Sequence, residues 1–205
     1  MSEIDDGVIK YQRVFTPADP LQHHEYRQLE SWRKKLYQLE LIGEYPNVFI
    51  GYGNMSQRLA PSLPIQFIIT GTQTGKFAAL SGEHYTTVTG YNLESNLIEA
   101  KGCIDASSEA LTHAALYEVS AKIKAVFHIH DKTIWQGMLD DDFLYTKKDI
   151  PYGTVEMARA VQEIVKGKSK GVFAMAGHED GVVAWGNTLE ETGQEIMKLV
   201  QQFKS

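Results

Sequence analysis

The run Ala125-Val-Phe-His-Ile-His130 constrains this chain more than any other segment. It reads as a β-strand that begins apolar and ends on two histidines. Side chains alternate faces along a strand, so His128 and His130 project to one side while Ile129 points to the other. Two imidazoles placed this way can ligate one metal ion through nitrogens about 2.0–2.1 Å from it. Ordinary core or surface histidines can produce the same pair, so a further donor has to separate the two readings. His178 is the candidate, because it lies in the turn GHEDG between two apolar runs, GVFAMAG and GVVAWG. Three protein ligands with an open position describe a catalytic zinc site; a structural site is normally closed by a fourth. Cys103 is the only cysteine, which excludes both a thiolate zinc site and an intramolecular disulfide. His23, His24 and His84 read as surface residues.

The rest of the chain supplies a frame for that strand. Residues 1–22 are polar and mixed and read as an arm, with residues 23–205 as a single domain. From His24 to Leu41, apolar residues recur at spacings of three and four, which predicts an amphipathic helix. NVFIGYGNMSQRL and IQFIITG read as strand segments broken or ended by glycine. Residues 71–105 read as turn-rich with short β segments. SSEALTHAALYEVSAKI and GTVEMARAVQEIV predict helices, the second with Thr154 as N-cap. The last helix, TLEETGQEIMKLVQQF, opens on Thr188-x-x-Glu191, the pattern of a capping box. Helices and short strands alternate without regular βαβ spacing, so one α/β sandwich is expected.

Glu109 is the second informative residue. It sits in Ser107-Ser108-Glu109 at the predicted start of the helix that leads into the histidine strand. An antiparallel return of that helix could bring its first turn near the metal, where a carboxylate can exchange a proton with a polarised carbonyl compound. The local pattern alone favours a glutamate stabilising a helix N-terminus. His113, four residues on, falls on the same face and could brace it. Gly51-Tyr52-Gly53-Asn54 and Gly71-Thr72-Gln73-Thr74-Gly75 can expose backbone N–H groups, and with Ser107 and Ser108 could form a phosphate pocket. GTQTGK is not a P-loop: three residues separate its glycines, and Phe77 stands where Ser or Thr is required.

Composition removes other classes. The 205 residues are 43% hydrophobic and 22% charged, ordinary globular values. A net charge of -6 gives no basic footprint for nucleic acid. No apolar stretch is long enough to span a membrane, and the first residues lack a signal-peptide pattern, so a cytoplasmic protein without membrane or nucleic-acid partners is expected. The H-x-H pair does not fit a cupin, which needs a glutamate shortly after the second histidine where this chain reads HIHDKTIWQG. Nor does it fit a metallo-β-lactamase, which would place histidine where Lys132 stands, or an amidohydrolase barrel, which needs a longer chain.

The segments GNMS (53–56), ITGTQTG (69–75), SSEALTHAALY (107–117), AVFHIH (125–130), PYGTVEMA (151–158) and GHEDGVVAWG (177–186), in this order, resemble the class II aldolase and adducin head-domain family, typified by L-fuculose-phosphate aldolase. The resemblance implies an α/β/α three-layer sandwich around a largely antiparallel sheet and a homotetramer with active sites between subunits. It implies that His128, His130 and His178 bind zinc or another divalent transition metal. Glu109 would ligate the resting metal and act as acid/base, and Gly53, Asn54, Thr70, Gly71, Ser107 and Ser108 would bind phosphate. The implied activity is reversible retro-aldol cleavage of a small sugar or sugar-phosphate-like substrate through a metal-stabilised enediolate.

Some positions depart from the family pattern. The family's T-P-S-G is replaced by Thr70-Gly71-Thr72-Gln73-Thr74-Gly75, and the stretch 131–150, which in the aldolase supplies a catalytic tyrosine, is short. Tyr145 is the candidate replacement, with Tyr152 behind it. Glu179-Asp180 follows the late histidine in place of the usual glycine, which would add negative charge near the metal and disfavour a phosphorylated substrate. Other branches of the family remain as alternatives. TIWQG and AWG are similar to the pentulose-phosphate 4-epimerases, although those carry Asp where Glu109 stands. A methylthioribulose-phosphate dehydratase fits less well, because that branch lacks the S-S-E segment. A non-catalytic adducin-like module would keep the fold without the metal ligands, whereas all three histidines and Glu109 are present here.

Overall fold

The computed structural model describes residues 7–59 and 64–204. In chain order the strands are β1 Gln12–Pro17, β2 Gly43–Tyr45, β3 Ile50–Tyr52, β4 Asn54–Arg58, β5 Phe67–Thr70, β6 Tyr85–Asn92, β7 Leu97–Gly102, β8 Ala125–His130, β9 Leu144–Tyr145, β10 Gly171–Ala174 and β11 Gly181–Gly186. The helices are α1 His23–Gln38, α2 Ala110–Val119, α3 Lys132–Asp140, α4 Val155–Val165 and α5 Leu189–Phe203. Among the described residues, nine strands form one sheet in the order β1-β7-β6-β5-β4-β8-β11-β10-β9, and β2 and β3 pair separately. The large sheet is antiparallel except at its two edges, where β1 runs parallel to β7 and β9 parallel to β10. This is the expected three-layer α/β sandwich.

Strand alternation sorts the core into two halves. Ile69, Val126, Val183 and Trp185 face α2 and α4, meeting Leu111, Ala115, Met157 and Val161. Ile68, Phe127, Ile129 and Val182 face the other way, onto Leu29 and Leu36 of α1, Ile134 and Met138 of α3, and Ile196 and Leu199 of α5. Each fully buried side chain of this kind contributes about 1.5–3 kcal/mol relative to exposure. Because β8 is central, both of its faces are covered, and the two histidines fall on the α2/α4 side, in line with Val126.

Several expectations need adjustment. Of the segment 1–22, read as an arm, Gln12–Pro17 is an edge strand of the sheet. The helix expected over 107–123 spans Ala110–Val119, which leaves Ser107 and Ser108 in the turn before it. The turn-rich region 71–105 contains a long antiparallel pair, β6 and β7, irregular between Val88 and Gly90. Helix α3 was not expected. Asp131 caps it by accepting a hydrogen bond from the Ile134 N–H, and Ile134 and Met138 anchor it. Its Gly137 lies under the Phe203 ring, where a Cβ would approach to 2.5 Å. Thr154 and Thr188 cap α4 and α5 as expected, but the Glu191 carboxylate accepts from the Asn187 N–H rather than closing a capping box on Thr188.

Candidate metal centre

The site forms where β8 ends. His128 pairs across β4 with Asn54 and across β11 with Val183, and His130 pairs with Gly181. The chain then turns into α3, so both histidines sit at the end of a central strand. His178 approaches from the turn between β10 and β11, which closes on itself: the His178 N–H donates to the Met175 carbonyl, and the Gly181 N–H to the His178 carbonyl. Gly181 makes the convergence possible. A Cβ there would lie 2.6 Å from Cδ2 of His178 and 3.1 Å from Cε1 of His128, so a side chain would push the rings apart.

All three imidazoles are buried, and each offers a ligand atom within 4.8 Å of the others. The His128 Nδ1–H donates to the Val182 carbonyl at 3.3 Å, and His130 Nδ1 lies 2.8 Å from the Tyr45 hydroxyl. With both Nδ1 atoms engaged, the two Nε2 atoms face each other 3.0 Å apart. When both rings carry their proton on Nδ1, the two Nε2 lone pairs converge and can share one cation. Tetrahedral zinc would set two such nitrogens about 3.3 Å apart, so the donor set and its convergence fit a divalent ion.

Burial lowers the pKa of His128 to about 4. Burial, reinforced by the neighbouring His128, also lowers His130 and His178 well below the ordinary imidazole range. Neutral imidazole is the form that binds metal. The buried His113, whose Nδ1 is 2.6 Å from the Ser56 hydroxyl, is lowered in the same way. Unfolded imidazoles titrate near 6.5, so below that pH the unfolded state of the metal-free protein takes up protons that the folded state refuses. Stability therefore falls as pH drops from about 6.5 toward 4, with His128 alone accounting for roughly 3 kcal/mol. Thermal melts with a chelator present should show a falling Tm across that window. A flat Tm would contradict it.

One pocket brings most of the expected residues together. Gly53, Asn54, Gly71, Ser107, Ser108 and Glu109 line it with the three histidines. Glu109 is buried at the N-cap of α2, where its side chain makes no capping hydrogen bond, and it lies outside the 4.8 Å ligand group. Thr70 is behind the wall rather than on it, its hydroxyl accepting from the Met55 N–H. Tyr145 is exposed on β9 and is not among the lining residues; Tyr152 is, with its ring centroid 4.7 Å from that of His178. Glu179 points outward to Lys132, and Asp180 lines an adjoining surface depression that shares Tyr52 and His130 with the pocket, so neither carboxylate is among the residues lining the pocket itself.

Two supports were not anticipated. Arg33 is buried on α1, and its Nη2 donates to the carbonyls of Thr74 and Gly75, holding the 71–75 loop from beneath. Its signal was present in the sequence, since position 33 falls on the same helical stripe as Leu29 and Leu36. Tyr45, the partner of His130, had no signal, because nothing in the local pattern links residue 45 to residue 130. The loop is tied to its neighbour through Gln73, whose Oε1 accepts from the Gly51 N–H at 2.8 Å.

The sequence model of the Class II Aldolase and Adducin N-terminal domain family matches residues 40–204. The chain belongs to this family. Solved structures show that the class II aldolase and adducin fold is shared at low identity. L-fuculose-1-phosphate aldolase from Thermus thermophilus is 20% identical with a TM-score of 0.61, covering 88% of this chain and 92% of its own. A sugar-phosphate aldolase from Thermotoga maritima is 16% identical with a TM-score of 0.65, covering 87% and 91%. An aldolase II superfamily protein from Pseudomonas syringae is 13% identical with a TM-score of 0.59, covering 88% and 75%. No protein among those of curated function matches the sequence. Within this class II aldolase and adducin domain, no helix of the described residues is long and apolar enough to cross a membrane.

Proposed function

We propose that the protein is a zinc-dependent aldehyde-lyase that reversibly cleaves a small hydroxy-carbonyl compound of the sugar or sugar-phosphate type. The observation that carries this reading is the meeting, in one pocket, of three buried neutral imidazoles, the Glu109 carboxylate and two glycine-rich loops. His128, His130 and His178 would hold the ion, which when bound supplies positive charge to polarise a substrate carbonyl. Glu109 moves the substrate proton that bond cleavage requires, working beside the imidazoles in a buried position. Asn54, Ser107, Ser108 and the Gln73–Gly75 end of the neighbouring loop receive the polar or anionic end of the substrate at the start of α2, the Gly71 and Thr72 N–H groups being held by the His84 and Asp105 carbonyls. Tyr152 closes the wall against His178 and restricts water.

The test is product analysis of zinc-loaded protein on a panel of ketoses and ketose phosphates, with and without chelator. Two carbonyl fragments, lost on chelation, are expected. Isomer exchange without cleavage would replace the lyase with an epimerase. A protein that takes up no metal and turns nothing over would be an adducin-like module instead.

A further inference from the structure

The β2–β3 hairpin stands outside the large sheet, yet it reaches the candidate metal centre. Tyr45 lies at the end of β2, opposite Ile50, and its ring packs on Tyr52 with centroids 4.7 Å apart. Tyr52 in turn lies 5.6 Å from the His130 ring. This aromatic pair carries the Tyr45 hydroxyl to 2.8 Å from His130 Nδ1.

We infer that Tyr45 is a positioning residue for the metal centre, fixing the tautomer and ring plane of His130. The inference rests on the proposed metal-binding reading. An imidazole that ligates through Nε2 carries its proton on Nδ1 and needs an acceptor there. For His128 that acceptor is the Val182 carbonyl, which backbone geometry supplies whatever the side chain at 182. For His130 it is the Tyr45 hydroxyl, a side-chain group on a different sheet. His130 is only 5% exposed, so solvent is poorly placed to substitute. Without the hydroxyl, the proton can move to Nε2 or the ring can turn over, and either change withdraws the lone pair that faces His128. The hairpin is thereby coupled to a ligand that it does not itself provide.

The experiment measures zinc dissociation constants by competition with a chromophoric chelator, together with the visible spectrum of the Co2+-loaded protein. The proteins compared are the wild type, Tyr45→Phe and Tyr52→Phe. Tyr45→Phe keeps the ring and removes the hydroxyl, so zinc should bind about 10–100-fold more weakly, and the Co2+ bands should shift. Tyr52→Phe loses a hydroxyl that donates to the Glu40 carbonyl rather than to a histidine, and zinc affinity should stay within about twofold of wild type. Melts of the metal-free proteins separate folding from binding. Equal zinc binding by wild type and Tyr45→Phe would overturn the inference while leaving the metal centre in place. Equal weakening by both variants would assign the effect to a general loosening of the hairpin rather than to the contact with His130, and overturn it too. A wild type that binds no zinc would remove the metal-binding reading itself.

Discussion

Replacing His130 with alanine is expected to give a folded protein that neither retains a divalent ion nor turns over substrate. The three imidazoles are the group whose ligand atoms lie within 4.8 Å of one another, and two of their Nε2 atoms face each other at 3.0 Å. Zinc binding at four-ligand sites is worth about 10–16 kcal/mol, so losing one imidazole should weaken it by roughly 3–4 kcal/mol, or about 10²–10³-fold. Turnover should fall at least as far, because the remaining pair cannot hold the ion in one geometry. The fold should survive, since the apolar residues of β8 lie elsewhere on the strand and pack on both helical layers. Metal content of the purified variant and its rate on the wild-type substrate are the readouts. Wild-type values of either would remove His130 from the assignment.

Glu109→Gln should separate chemistry from metal binding. The substitution keeps shape and hydrogen-bonding capacity but cannot carry the proton, so kcat should drop about 10²–10⁴-fold. Metal content should be unchanged, because the histidines form a ligand group without Glu109. KM should move little, since the loops that would receive the substrate are untouched. A variant that loses its metal would make Glu109 a required ligand. One with unchanged kcat would return it to the ordinary role of a charge at a helix start.

The histidine strand was legible because it is short, apolar and strictly alternating, so the face of each residue follows from chain geometry alone. The α4 and α5 starts were legible for the same local reason, as Thr154 and Thr188 cap the helices that follow them. What stayed hidden depends on partners distant in sequence. Strand β1 exists because Gln12–Pro17 pairs with residues 97–102, and its own residues are mostly exposed. Strands β6 and β7 were obscured because Thr86 and Thr87 are buried polar residues that break the apolar signal. Helix α3 carries a glycine that only the Phe203 ring explains. At the site, the histidines were visible as a pattern, while their supports, Tyr45 and Arg33, are defined by contacts 85 and about 41 residues away. Tyr145 is exposed on β9 in the single chain, while Tyr152 lines the pocket.

The buried Arg33 guanidinium has a consequence for how this protein can diverge. By clamping the Thr74 and Gly75 carbonyls inward, it fixes which way the neighbouring peptide planes are tilted, and so what the loop offers to a visitor. Helix α1 contributes no residue to the pocket wall, yet one position on it sets the loop's presentation. Lineages that keep every lining residue could therefore drift in ligand preference through an exchange at position 33, well outside any comparison restricted to the pocket.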